Sequence, residues 1–74
     1  MIEEHKRVVL TETLPERDLQ AGDVGTVVHV YETGSAYEVE FFRLDGQTVT
    51  VETVSASAVR PVASTDVTHA RTRE

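Results

Sequence analysis

Short runs of valine and leucine, parted by polar tracts carrying glycine, proline and acid, divide this chain into strand-sized pieces. The first run, Val8-Val9-Leu10, is flanked by Lys6-Arg7 and Glu12, and its length suits a short strand. Thr13 to Asp23 follows, with a proline, a glycine and four charges, and no helical stripe fits it. It reads as a long ordered loop whose Leu14 and Leu19 are apolar feet on the core. Two glycines three apart and an aspartate then lead into a β-branched run, AGDVGTVVHVY from Ala21 to Tyr31. Glycine supplies backbone angles denied to other residues, aspartate bonds its own turn, and valines fit a pleated surface. A turn feeding a strand from about Gly25 to Tyr31 is the result.

Beyond the polar turn Glu32-Thr33-Gly34-Ser35, the segment Ala36 to Phe42 alternates. Tyr37, Val39 and Phe41 share one face and Glu38 and Glu40 the other, which is the pattern of a half-buried strand with a wet acidic side. Asp45-Gly46 between two β-rich runs signals a hairpin with a primed turn, which needs positive φ at both central residues. Thr48 to Glu52 alternates again and places Val49 and Val51 inward. Ser55 to Ala58 suits one 3₁₀ turn, and Val59 to Val62 closes the set as a strand, with Pro61 on an edge or at a strand end.

These parts predict an all-β domain over residues 1–62: a small SH3-like five-stranded barrel with a 3₁₀ turn before the last strand. An OB-like barrel needs a longer chain and a true helix. The expected core is Val9, Val28, Val30, Val39, Phe41, Val49, Val51 and Val59. Residues 63–74 hold one isolated valine and no periodicity, so they read as a disordered or loosely attached tail.

Charge narrows the partners. The chain of 74 residues carries 13 acids and 7 bases, for a net charge of −6. Nucleic-acid binding draws on clustered lysine and arginine, whereas the five bases of residues 1–62 are scattered, so duplex DNA, RNA and anionic membranes are poor partners. No cysteine is present, the first residues are acidic where a secretory signal starts basic, and no apolar run approaches a bilayer span. Cytoplasmic residence is the expectation.

Candidate chemistry is sparse. His5, His29 and His69 have no metal-ligand spacing, and the serines lie outside any nucleophile elbow. Glu38 and Glu40 share a solvated face where both stay ionised. The GDVG glycines precede a strand, whereas a phosphate loop leads into a helix. Neither catalysis, a cofactor nor a metal is expected. A binding surface remains, and in a barrel of this kind it falls between the long first loop and the turn after the second strand. The candidate contact residues there are Glu16, Asp18, Tyr31, Tyr37, Glu38 and Glu40, because tyrosine offers large contact area with a polar tip. A polyproline ligand is a poor fit to a chain with four aromatic residues and no tryptophan.

The segments VVLTETLPERDLQAGDVGTVVHVYETGSAYEVEF, DGQTVTVETV and SASAVRPV, in that order, resemble a family of short bacterial proteins carrying a domain of unknown function with an SH3-like fold. The resemblance covers about residues 3–62. Some members resemble antitoxin or immunity partners of toxins, and no catalytic residue carries over. AGDVGTVV also resembles the glycine-led strand of KOW modules, although their basic residues are missing here. Two function classes follow. The first is a protein-interaction module, antitoxin- or immunity-like, that turns its acidic surface to a basic protein. The second is a self-assembling subunit joined through an edge strand or the Phe41-Phe42 region, with a KOW-like RNA-associated module behind both.

Overall fold

The valine-rich runs pair as β1 (Arg7–Leu10), β2 (Val24–Tyr31), β3 (Ala36–Phe42), β4 (Thr48–Ser55) and β5 (Val59–Pro61). A computed structural model describes residues 1–73. The five strands form one antiparallel sheet in the order β4-β3-β2-β1-β5. The 3₁₀ turn before the last strand is there, at Ala56–Ala58, and the Ser55 side chain accepts a hydrogen bond from the Ser57 amide at its start. The all-β architecture is therefore as the sequence predicts. Pro61 ends the edge strand β5, where its missing N–H breaks no ladder.

One face of the sheet holds the core, built on Val8, Leu10, Val27, Val39 and Phe41. The long first loop closes over it. Leu14 and Leu19 bond each other across the loop, Leu19 is fully buried, and a 3₁₀ turn at Pro15–Arg17 separates them. Arg17 reaches from this loop to Glu52 at 2.8 Å.

Two irregularities correct the expected core. The β2–β3 register shifts between Val27 and His29, so Val27 is buried and Val28 is displaced outward to 36% exposure. The second concerns the Asp45-Gly46 hairpin. Its turn is not a primed two-residue turn: the Gly46 amide bonds the Arg43 carbonyl, and of the pair only Gly46 takes a positive φ, +89°. A three-residue loop of this kind adds one residue and a bulge to the hairpin. The register then slips between Phe41 and Phe42, which puts Thr50, Glu52 and Val54 opposite Phe41, Val39 and Tyr37 on the core side. A one-residue slip turns every side chain over. Val49 is left half-buried at the bulge, and Val51 faces outward, 47% exposed.

Over residues 63–73 the tail has no strand or helix, and Val67 is 91% exposed, but it is tied down by polar contacts. Arg60 grips Asp66 through two hydrogen bonds of 2.9 and 2.8 Å, and Arg71 grips Asp23 at 2.8 and 2.6 Å. The expectation of a loose tail followed from apolar content alone. In the structure ion pairs tie Asp66, His69, Arg71 and Arg73 to the domain, and Glu74 lies outside the described residues.

Candidate functional site

The antiparallel ladder of β2 and β3 sets His29 opposite Glu38 and Tyr31 opposite Ala36, on the face away from the core. The Tyr31 hydroxyl donates to Glu38 Oε1 at 2.8 Å, and the His29 ring meets the Tyr31 ring edge-on at 4.5 Å. That hydrogen bond to Glu38 is the main reason the Tyr31 phenol is held above its ordinary pKa. Glu40 lies two residues along the same face, opposite Thr26 on one side and Val51 on the other, and accepts from the Thr48 hydroxyl. Tyr31, Glu38, Glu40 and the exposed Val51 thus form one outward patch with aromatic, anionic and apolar parts.

The other expected contact residues are elsewhere. Tyr37 is only 3% exposed; its ring fills the core, and its hydroxyl accepts from the Ile2 amide at 3.0 Å. It is a core residue rather than a surface contact. Glu16 and Asp18 sit in the first loop, over the core side of the sheet, away from Glu38 and Glu40. Asp18 takes a left-handed conformation with φ 57°, and its carbonyl accepts from Arg71 at 3.0 Å. The groove expected between first loop and second turn therefore does not bring the six residues together.

Asp23 is a hub that sequence reasoning took for a turn residue. Its carboxylate accepts from the Gln20 amide and from Arg71, and the His69 Nε2 lies 3.3 Å away. Burial pushes the Asp23 carboxyl up, but the Arg71 hydrogen bonds, the Gln20 amide and the nearby charges outweigh it and hold the group below its usual range. Beside it, Gly22 has φ +100°, and a Cβ there would stand 3.2 Å from the His69 ring. Glycine serves both the left-handed turn and the close approach of the tail. At the other anchor Arg60 and the Ala63 amide lower Asp66 to about 2.

The tail should accordingly detach in acid. Both aspartates titrate lower in the folded protein than in the unfolded chain, so their contribution is complete above the ordinary value of 3.8 and fades as pH falls through the folded values. In an NMR titration the amides of residues 66–72 should move to unstructured positions between about pH 4 and about pH 2, ahead of those of β2 and β3. Arg71→Gln should release the amides of residues 69–72 at neutral pH, with Asp66 still held by Arg60, while changing global stability by about 1 kcal/mol or less, as partly exposed ion pairs do. Tail amides already unstructured at pH 7 would refute the docking.

Residues 4–61 match the family model described as domain of unknown function DUF4926, and the chain belongs to that family. The tail lies beyond the matched residues. Searches of curated proteins and of solved structures returned no match. Among the described residues no helix is long and apolar enough to cross a membrane.

Proposed function

We propose that this domain is a protein-interaction module, without catalysis of its own, that presents the outer face of β2, β3 and β4 to a basic protein in the cytoplasm. The observation that carries the reading is the Tyr31–Glu38 pair. A tyrosine fixed by a carboxylate on a solvent-facing sheet costs little further entropy on binding, and the core does not require it. Glu40 and the net charge of −6 supply the field that draws a cationic partner. Stoichiometric neutralisation of a basic toxin-like protein, as by an antitoxin or immunity protein, is the form of interaction that suits a small acidic domain.

A second reading rests on β4. Among the described residues this eight-residue strand pairs only with β3, and it turns Val51 to solvent, so a second copy could add to its outer edge. Sedimentation separates the readings, since a monomer at high concentration removes the second.

The test uses the wild type, the doubly reversed Glu38→Lys/Glu40→Lys variant and Tyr31→Ala as baits, followed by binding kinetics on the purified partner. The expected result is a basic protein held by the wild type. Charge reversal should slow its association and flatten the salt dependence, because rim charges act through steering. Tyr31→Ala should instead speed dissociation, as loss of a desolvated anchor does. A partner bound equally well by all three proteins would place the contact surface elsewhere.

A further inference from the structure

The outer face of the sheet is polarised from one side to the other. On it Arg7, Thr26 and Glu40 stand abreast on β1, β2 and β3, and the next row runs from Arg60 on β5 through Val9 to Val24. Phe42 lies two residues past Glu40 on the same side, and the Arg7 guanidinium carbon stands 5.8 Å from the centre of its ring, within range of a cation–π contact. Cations thus border the face on β1 and β5, acids border it on β3, and apolar side chains lie beside them.

The tail covers one end of this face. Residues 66–73 enclose a cleft of about 800 Å³ with Val9, Val24 and Phe42, and Val9 is 8% exposed although it points away from the core. The cover does not fill what it hides, since Val67 is 91% exposed. Its ties are ion pairs, Asp66 to Arg60, His69 and Arg71 to Asp23, and Arg73 to Asp18. Pairs of this kind each contribute little, so the tail can leave without disturbing the core.

We propose that this face is a pairing surface for a second copy of the chain, and that the tail is the cover that withholds it. Charge and position choose the occupant. A two-fold axis running along β2 through Thr26 sets β1 of each copy over β3 of the other, because those strands flank β2 on either side. Arg7 of each copy then meets Glu40 of the other, and Val9 meets Phe42. Stacked sheets stand about 10 Å apart, which arginine and glutamate side chains reaching from opposite faces span together. Over the whole opened face a partner of one sign meets repulsion on one side, from Arg7 and the released Arg60 or from Glu38 and Glu40. The rotated copy presents each charge to its opposite. The basic partner proposed above uses the β2 to β4 half alone, so this inference stands independently of that reading.

The test compares the full-length wild type with Asp66→Asn/Arg71→Gln, which cuts the ties to Arg60 and Asp23, lies wholly in the tail and leaves the net charge at −6. In sedimentation equilibrium the double variant is expected to pair more tightly than the wild type by roughly tenfold or more, with the amides of residues 66–72 at unstructured positions. Adding Arg7→Glu should weaken that pairing by roughly tenfold or more, since acids then face acids, and adding Glu40→Arg as well should restore it. Neither misfolding nor a contact between β4 edges would give that rescue. An opened tail with pairing no tighter than in the wild type would overturn the proposal, as would pairing untouched by Arg7→Glu or unrestored by Glu40→Arg. Tail amides still docked in the double variant would overturn the ionic cover.

Discussion

Gly25→Val is expected to cost about 3 kcal/mol or more, at or above the top of the usual range for overpacking, although strand propensity alone favours valine by up to about 1 kcal/mol. Gly25 lies on the core side of β2 opposite Phe41. A Cβ there would stand 2.5 Å from Val39 Cγ1 and 2.8 Å from the Glu40 carbonyl oxygen. Neither neighbour can yield cheaply, since Val39 is fully buried and the carbonyl belongs to the adjoining strand. Space decides the sign here, not the backbone angle. For a chain of this length total stability is of the order of 4–11 kcal/mol, so the loss takes a large share of it. Urea denaturation checks it, and a midpoint equal to that of the wild type would show that β2 and β3 separate at Gly25.

Val39→Ala is expected to cost about 1–3 kcal/mol through lost burial and a cavity, whereas Val51→Ala should stay within about 0.5 kcal/mol. Both valines sit in alternating segments and look equivalent along the chain. The hairpin bulge makes them unlike, with Val39 at 0% exposure and Val51 facing solvent. Denaturation midpoints of the two variants measured together check the parity directly. Equal losses would mean that β4 keeps the unbulged register.

These two positions also mark how far the sequence could be read. Alternation in Ala36 to Phe42 is unbroken, and that strand came out with its faces as expected, Val39 and Phe41 inward, Glu38 and Glu40 outward. In β2 and β4 the same logic failed at Val28 and Val51, because a bulge changes parity without any mark in hydropathy. Asp45-Gly46 announced a hairpin but not its loop length, which depends on whether Asp45 or only Gly46 adopts the left-handed region. Of the candidate contact residues, Tyr31, Glu38 and Glu40 were legible because a single ladder sets them side by side. Tyr37 was misplaced, since a tyrosine at an inward position is a core residue whenever something meets its hydroxyl, and the Ile2 amide does. The ties of Asp23 to Arg71 and Arg60 to Asp66 had no sequence signal. Partners 48 residues apart are joined only by the path of the folded tail.

The two borders of the sheet are unequal, and the inequality limits how copies of this chain can accumulate. β4 offers eight residues of free backbone, while β5 offers three and finishes in Pro61. A fibre grows only if each added copy leaves a usable edge behind it, so lateral stacking through β4 and β5 in turn stalls at the proline. Two copies meeting β4 to β4 spend both long edges at once and leave only the short ones exposed. Crowded solutions of this protein should therefore hold single chains or closed pairs, and remain clear where a sheet with two long borders would gel.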